Sequence, residues 1–386
     1  MVTNPARRRV FVHVGVPKSG TSFLQAGMRE NSKTLRELGV LFPAQYPAEM
    51  YHATLEIRGI EEQWGHRAGE FDGTWARLCR RARAFDGTSV ISHELLSSAT
   101  PEQVRTALAE LEGTEVHIVV TARDLARQIP AAWQQGLKHG GKVTFAEFVE
   151  RTFDPGRSTA RAQQFWDRQD VPDVLARWGA GLPPERVHVV TNPPSGSAPH
   201  VLWDRFLSVF GVDPSRLTLP GSGSNVSLGI TEIDLLRRVN AVVPRADQPR
   251  VYSRIVNGHL VNTLRHHSSP RASTPVALYP LLQDMGKRWV TEIEARGYDV
   301  VGDLSELVSA DPSPSDVDPD AVSPEETLDL AVSTIGILLK EVDELKRRRP
   351  TARLGGNVEQ AGLARRVAGR VKRSLRRPGG PSRKGR

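Results

Sequence analysis

A glycine-containing turn at residues 15–25, with the sequence GVPKSGTSFLQ, follows the first apolar run of the chain. Gly15 and Gly20 fit the phosphate-binding frame G-x-x-x-x-G-K-[ST], but Thr21 stands where that frame has its lysine. The lysine is Lys18, which lies inside the loop. A strand, a glycine turn and a helix that begins near Thr21 aim backbone N–H groups and the positive end of the helix at an anion. The spacing therefore predicts a phosphate cradle whose cation is part of the loop.

A pair of polar residues, His93 and Glu94, follows another apolar run that has the length of a strand. Ligands of open parallel sheets bind at the carboxyl ends of the strands. Both residues are therefore candidates for the same site as the glycine turn.

Short β-branched runs, each followed by helical periodicity, predict βαβ units and an α/β fold with a parallel central sheet. The runs span residues 9–14, 88–92, 115–121 and 186–191. The expected helices span about residues 21–30, 101–112, 123–138, 144–152, 160–180, 198–211, 228–243 and 278–297. Pro130 falls inside one of these helices and is expected to kink it.

The glycine turn closely resembles the 5′-phosphosulfate loop of sulfotransferases that use 3′-phosphoadenosine 5′-phosphosulfate (PAPS), whose usual form is P-K-[ST]-G-[ST]-[ST]. The matching residues are Pro17, Lys18, Ser19, Gly20, Thr21 and Ser22. The resemblance is to bacterial, actinobacterial-type members and covers about residues 8–305. It implies a P-loop-like three-layer sandwich with a helical acceptor region at about residues 125–300. It also implies that Lys18 stabilises charge on the leaving 5′-phosphate, that the loop amides bind the phosphosulfate, and that PAPS is the co-substrate without a metal.

A second signature of these sulfotransferases is an arginine at the end of a strand and a serine eight residues later, both of which bind the 3′-phosphate of PAPS. Arg123 matches the arginine, but Ala131 stands at the position of the serine. Arg127 lies one turn along the same helix face and is the candidate to replace that contact. Asn225 and Ser227 are candidates for the lid that the family places over the adenosine.

Sulfuryl transfer also needs a base that takes the proton of the acceptor hydroxyl. Related sulfotransferases that act on carbohydrates have a glutamate after the second core strand, whereas small-molecule enzymes have a histidine. Glu94 and His93 stand side by side here, and alternation along an extended chain lets only one of them face the site. Glu94 is the first choice. The implied acceptor is a carbohydrate or lipid-linked hydroxyl, and Tyr51 and His52 are candidates for lining its cleft.

Two other functions remain open at this point. A P-loop kinase that uses ATP would need a lysine at position 21 and a carboxylate for magnesium, and the sequence offers neither in the expected place. A catalytically degenerate nucleotide-binding scaffold is compatible with Ala131.

Composition indicates a globular protein and gives a prediction of its cellular location. The 386 residues are 39% hydrophobic and 25% charged, which is ordinary for a globular protein. A single cysteine, Cys79, excludes an intrachain disulfide framework and favours a reducing compartment. The apolar run near the N-terminus is too short for a signal peptide, and no stretch has the length of a membrane span. The predicted location is the cytoplasm.

The predicted organisation is an α/β domain at residues 1–308, a Pro/Asp/Ser linker at 309–324, a helix at 325–346 and a basic tail at 347–386. Residues 346–386 hold 15 of the 52 Lys and Arg but one of the 44 acidic residues, so the net charge of +8 originates in the tail. The folded body is therefore not predicted to bind nucleic acid.

The tail contains a basic amphipathic pattern at residues 357–377. Leu363, Val367, Val371 and Leu375 repeat at i, i+4 spacing among Lys and Arg residues. Such a helix can lie on an anionic membrane surface, whereas a solvated tail or one that binds nucleic acid without specificity remains the alternative. We favour the membrane, which would place the protein peripherally at the inner membrane face.

Overall fold

The structure is a computed structural model that describes residues 8–153, 157–221, 228–243, 256 and 258–348. Among these residues the sheet has six strands in the order β2-β3-β1-β4-β5-β6, and every neighbouring pair is parallel. The strands are β1 (Arg9–His13), β2 (Val40–Leu41), β3 (Thr88–Ser92), β4 (Glu115–Ala122), β5 (Val187–Thr191) and β6 (Asp299–Val301). The parallel sheet confirms the α/β class predicted from the β-branched runs.

Helices connect and cover these strands. They are α1 (Thr21–Glu30), α2 (Ser32–Glu37), α3 (Glu49–Arg58), α4 (Thr74–Ala84), α5 (Pro101–Ala109), α6 (Leu125–Lys138), α7 (Phe145–Thr152), α8 (Ala160–Gln169), α9 (Val171–Trp178), α10 (Val201–Ser208), α11 (Ile230–Val242), α12 (Val261–Leu264), α13 (Tyr279–Arg296) and α14 (Pro324–Arg348). Short 3₁₀ turns lie at Glu62–Trp64, Glu94–Ser98, Pro184–Arg186, Pro214–Arg216, Val276–Leu278 and Leu304–Leu307.

One helix expected from the sequence is in fact two. The region 160–180 divides into α8 and α9 at Asp170, whose backbone is extended. The break places Pro172 in the first turn of α9, where its missing N–H leaves no hydrogen bond unmade. The very short strands β2 and β6, of two and three residues, have no periodicity that sequence analysis could detect.

The sheet is covered by helices, as a three-layer sandwich requires. Every residue of β3 and of β5 is buried, as expected for parallel strands that helices cover. Helix α4 packs against β3, α9 against β4 and α10 against β5. Trp75 from α4, Trp178 from α9 and Trp203 from α10 are almost fully buried in this core.

The strand order places the glycine turn at the centre of the sheet. β1 pairs with β3 on one side and with β4 on the other, with His13 opposite both Ser92 and Val119. The loop after β1 therefore lies between the polar residues that follow β3 and those that follow β4. This is the edge at which open parallel sheets bind their ligands.

Helix α6 continues through Pro130. A proline cannot donate to the carbonyl of the residue four positions earlier, which here is Ala126. The buried hydroxyl of Thr274 donates to that carbonyl at 2.6 Å. At the same residue, the N–H of Ala126 donates to the hydroxyl of Ser309 at 3.2 Å. Late segments of the chain thus satisfy the backbone groups of the helix that follows β4.

The segment at 309–324, expected to be a linker, is attached to the body at several points. The carboxylate of Asp320 accepts hydrogen bonds from the first two N–H groups of α7, each at 2.8 Å. Asp316 accepts from the hydroxyl of Tyr279 at 2.9 Å. These contacts attach the segment to the folded body.

The basic tail lies outside the described residues, so its predicted membrane helix stays a prediction. In the described ranges no helix combines the length and the apolar character needed to cross a bilayer.

Candidate active site

The loop after β1 has a backbone that few side chains tolerate. Gly15 and Gly20 have φ values of 83° and 87°, in the left-handed region that favours glycine. A Cβ on Gly15 would lie 2.8 Å from the Cβ of Glu94, and one on Gly20 would collide with Leu202. Lys18 adopts the same region with φ 73° although it has a side chain. Such conformations cost about 1–3 kcal/mol for residues other than glycine and cluster at functional sites.

Two glutamine side chains hold the loop in place through hydrogen bonds to its backbone. The carbonyl of Pro17 accepts hydrogen bonds from the buried amides of Gln128 on α6 and Gln169 at the end of α8. The N–H of Val16 donates to the carbonyl of Thr121 in β4 at 2.8 Å. These contacts hold the loop in shape from two helices and a strand.

The first N–H groups of α1 point out of this loop. Within the described chain, no backbone or side-chain acceptor caps the N–H groups of Gly20, Thr21 and Ser22. Unpaired donors at the positive end of a helix bind anions. The loop is therefore a candidate anion site, and Thr21, in the position of a nucleotide-binding lysine, is buried.

The ammonium group of Lys18 is turned toward helix α6. Its Nζ donates a hydrogen bond to the side-chain oxygen of Gln135 on α6. Burial lowers the pKa of Lys18 to about 8, the positive charges of Lys138 and Arg123 act in the same direction, and Glu94 opposes them. A cation in this state gains from any anion that binds beside it.

Arg123 is a second cation at the loop, and it is partly buried. Its guanidinium makes one long hydrogen bond, of 3.4 Å, to the carbonyl of Lys18, and its Nε is buried without a partner. Burial lowers the pKa of Arg123 to about 10, Arg127 adds to the shift, and Asp124 opposes it. In the part of the chain described, no carboxylate forms an ion pair with Arg123, so an anion beside it would offset the cost of its partial burial.

Arg127, unlike Arg123, forms several hydrogen bonds within the protein. Its Nε binds Asp124, which also caps α6, and its other nitrogens donate to the carbonyls of Pro193 at 2.7 Å and Asn192 at 3.4 Å. The side chain joins α6 to the segment after β5. The sequence suggested that Arg127 replaces the serine contact to the 3′-phosphate that Ala131 cannot make. In the structure its guanidinium is instead engaged by protein groups.

His93 and Glu94 differ in what they offer to a substrate. The Nδ1 of His93 accepts a hydrogen bond from the N–H of Leu95 at 3.2 Å. A neutral imidazole that accepts at Nδ1 carries its proton on Nε2, so the remaining nitrogen of His93 is a donor. Burial lowers the pKa of this histidine, against the effect of the neighbouring carboxylate. This arrangement makes His93 a hydrogen-bond donor and leaves Glu94 to act as an acceptor.

Glu94 is held as a carboxylate beside the loop. Its Oε2 accepts a hydrogen bond of 3.1 Å from Gln25 on α1. Burial alone would raise the pKa of Glu94, but His93, the residue's own N–H, Gln25 and His13 together lower it. An ionised carboxylate near Lys18 and Gly15 is suited to receive a proton.

A buried chain of hydrogen bonds connects the loop with Glu94. The hydroxyl of Ser19 donates to the carbonyl of Val16 at 2.6 Å, so its oxygen must accept from Thr121, also at 2.6 Å. The Oγ1 of Thr121 must then accept from Nε2 of His13, at 3.1 Å.

The directions of the remaining hydrogen bonds in this series follow from the proton on Nε2 of His13. With its proton on Nε2, His13 accepts at Nδ1 from the hydroxyl of Ser92 at 2.8 Å. Ser92 in turn accepts from Gln25 at 3.3 Å, and Gln25 binds Glu94. Burial lowers the pKa of His13 to about 3, although Glu94 opposes the shift, so this histidine is neutral. Both ring nitrogens of His13 are thus hydrogen-bonded in the core.

Aromatic rings surround the opening of the site. The ring of Tyr51 lies 5.6 Å from that of His93 and 5.8 Å from that of Trp64, and Trp64 lies 5.7 Å from His139. His52, predicted together with Tyr51, instead stacks on Phe71. Tyr51 thus lies beside His93, the second candidate for the base.

Several residues that contact this site were not among the candidates predicted from the sequence. Gln25, Gln135, Gln169 and Thr121 come from helices and a strand whose identity was predicted, but their orientation depends on packing. One available signal was the spacing of Gln128 and Gln135, which lie two turns apart on one face of α6. Asn225 and Ser227, the predicted adenosine lid, lie outside the described residues.

No family model matches the chain, and no match is found among curated proteins or solved structures. The features that bear on function are therefore the α/β fold and the loop with its two partly buried cations, Lys18 and Arg123.

Proposed function

We propose that this protein is a sulfotransferase that moves a sulfuryl group from PAPS to an acceptor hydroxyl. The observation that carries the proposal is Lys18, a lysine held with φ 73° inside a loop with open N–H groups, where the charge of Glu94 acts on its ammonium. In a loop that binds the β- and γ-phosphates of ATP the lysine follows the second glycine. A lysine within the loop lies instead beside the first phosphate, where the 5′-phosphate of PAPS becomes the leaving group.

Arg123 supports the choice of nucleotide. PAPS differs from ordinary adenosine 5′-phosphates by its 3′-phosphate, which needs a second cation. The guanidinium of Arg123 touches the loop at the carbonyl of Lys18, has a buried Nε without a partner, and has no competing carboxylate among the described residues. These properties fit the residue to a phosphate and complement the open N–H groups of the loop.

The chain's own residues suffice for the transfer. The acceptor oxygen forms a bond to sulfur while the bond between sulfur and the bridging oxygen of the 5′-phosphate breaks. Lys18 stabilises the negative charge that develops on that bridging oxygen, and Glu94 takes the proton of the acceptor hydroxyl. The products are a sulfate ester and adenosine 3′,5′-bisphosphate (3′,5′-ADP).

Calorimetry separates this function from its two rivals. The proposal expects 3′,5′-ADP to bind tightly without a divalent metal, and more tightly than 5′-AMP. Preference for ATP with magnesium would favour a kinase. Tight binding of 3′,5′-ADP without transfer of labelled sulfate from PAPS into a lysate of the source organism would favour a scaffold.

Arg123→Ala is expected to weaken the binding of 3′,5′-ADP by about 10–100-fold, the worth of charge-assisted hydrogen bonds to one phosphate. Binding of 5′-AMP should change little, because it lacks the 3′-phosphate. Arg105→Ala removes an exposed arginine of α5 and serves as the matched control. An equal loss of affinity for both nucleotides would show that Arg123 does not distinguish the 3′-phosphate.

The pH dependence of kcat/KM for PAPS should reveal Lys18. Its pKa of about 8 lies below the ordinary lysine value, so the ammonium is present below that pH and is lost as the pH rises through it. We expect kcat/KM, which reports groups of the free enzyme, to fall on the alkaline side of pH 8. Since bound phosphates favour the ammonium, kcat should fall only at higher pH. A flat kcat/KM profile between about pH 7 and 9 would contradict this role.

A further inference from the structure

Helix α14 exposes a stripe of aliphatic side chains along one face. The members of this stripe are Leu328, Val332, Ile335, Leu339 and Val342. They are between 46% and 65% exposed, although aliphatic residues of this size are normally buried. Monomeric soluble proteins rarely expose a contiguous apolar patch larger than a few hundred Å². The stripe is therefore a candidate interface with another polypeptide.

The spacing within the stripe is that of a coiled coil. Successive members are four, three, four and three residues apart. This alternation is the heptad repeat that keeps one seam of a helix facing a partner helix. Helix α14 has 25 residues, which is long enough for three heptads. The pattern therefore predicts that the stripe packs against a second helix.

The stripe is distinct from the face that α14 buries. Thr327, Leu330 and Thr334 are almost fully buried and repeat at i, i+3 and i+7. At about 100° per residue, their face lies about a third of a turn away from the stripe. The helix thus has one apolar face that is buried within the described residues and another that is open to solvent.

The stripe is complementary to a second copy of itself. In a two-fold symmetric pair, residue i of one copy contacts residue j of the other, and j contacts i. When two α14 helices lie antiparallel with Ile335 opposite the partner's Leu339, Val332 lies opposite the partner's Val342. The central four members of the seam then all have apolar neighbours. No other polypeptide is needed to cover them.

Charges at the two ends of α14 favour the antiparallel orientation. The first turn contains Glu325 and Glu326, and Asp329 follows it, whereas Lys346 is exposed near the other end. In the antiparallel pair, the aliphatic stem of the partner's Lys346 covers Leu328, and its ammonium lies between Glu325 and Asp329. A parallel pair would place the acidic ends together and the two lysines together, and like charges in contact are unfavourable.

One pair of like charges also comes close in the antiparallel arrangement. Asp343 lies near the partner's Asp329 in this register. However, Asp343 forms an ion pair of 2.8 Å with Arg347 on its own helix. This pairing reduces the repulsion between the two carboxylates.

We propose that this protein forms a homodimer in which the α14 helices of two copies pack antiparallel through the stripe. The interface consists of the apolar seam and of the acidic and basic groups at its two ends. The proposal is independent of the sulfotransferase function, because α14 contributes no residue to the candidate active site.

Analytical ultracentrifugation of the full-length protein measures the pairing. We expect a dimer at about 100 µM protein that dissociates on dilution. Ile335→Asp places a carboxylate at the centre of the apolar seam and should raise the dissociation constant at least about 100-fold. Ile337→Asp is the matched control, because Ile337 is also exposed but lies on the opposite side of the helix from the stripe. The control variant should dimerise like the wild type.

Disulfide formation determines the orientation of the two helices. The chain has a single cysteine, Cys79, which is buried. Val332→Cys and Val342→Cys are made in separate proteins. In the antiparallel pair, a mixture of the two variants should form a cross-linked dimer on oxidation, and neither variant should do so alone. Cross-linking of each variant with itself would indicate a parallel pair and contradict the proposed orientation.

Two further outcomes would overturn the interface. A full-length protein that stays monomeric at about 100 µM would exclude the homodimer and favour residues 357–377 of the tail as the partner of the stripe. Equal dimerisation of Ile335→Asp and Ile337→Asp would show that the copies associate through another surface. Both isoleucines are exposed, so circular dichroism should show that both variants fold like the wild type.

Discussion

Lys18→Ala is expected to reduce sulfuryl transfer by about 10²–10⁴-fold, because the charge that meets the leaving 5′-phosphate is lost. That interaction grows as the bond to sulfur breaks, so kcat should fall more than the affinity for 3′,5′-ADP. The measurement is the rate of labelled sulfate transfer from PAPS at saturating nucleotide. Lys142→Ala, at an exposed position after α6, should be unaffected. Unchanged turnover in Lys18→Ala would contradict the function.

The free energy of unfolding of Lys18→Ala distinguishes a loss of catalysis from a folding defect. The pKa of Lys18 is lowered from its ordinary value to about 8, so the fold disfavours the ammonium, and the penalty is present at neutral pH and disappears at alkaline pH. Alanine keeps the same constraint at φ 73° and removes the buried charge. The variant should therefore unfold at neutral pH with a free energy equal to or about 1–3 kcal/mol above that of the wild type. A large destabilisation would mean that the lysine supports the fold.

Glu94→Gln is the second change with a large expected effect, a loss of about 10²–10⁴-fold in transfer with nucleotide affinity retained. The amide cannot take the acceptor proton, but its oxygen can still accept the hydrogen bond from Gln25. The loop packing against the Glu94 backbone is unchanged. Transfer rates and calorimetry with 3′,5′-ADP measure the two effects separately.

His93→Asn is the matched control for that experiment. An asparagine can accept the hydrogen bond from the N–H of Leu95 that His93 accepts at Nδ1, so the 3₁₀ turn should form. We expect most of the activity to remain. If His93→Asn were inactive and Glu94→Gln active, the base would be His93, and the proton on its Nε2 would have to be reassigned.

Much of the scaffold could be predicted from local sequence signals. The runs that became β1, β3, β4 and β5 are apolar and β-branched, and the glycines at 15 and 20 mark the turn because their backbone conformation excludes other residues. The start of α1 at Thr21 also follows from that turn. These features are encoded within a few residues of where they occur.

The parts of the site that depend on packing could not be predicted. Whether Arg123 or Arg127 is free depends on Asp124 and on carbonyls after β5, none of which a spacing rule relates to them. The hydrogen-bonded chain through His13 joins residues from three strands and a helix. Nor does composition reveal that the segment at 309–324 contributes Asp320 to the start of α7.

The way Pro130 is accommodated has a consequence for how this protein is made. Helix α6 carries Gln128 and Gln135, yet the backbone of its first turn is completed by Thr274 and Ser309. During synthesis on the ribosome, the glycine loop and its glutamine supports emerge long before these two hydroxyls do. A nascent chain that stops short of Ser309 holds a helix with open backbone groups beside the loop. The candidate site, although its residues lie before residue 170, is thus completed only after residues 274 and 309 have been made.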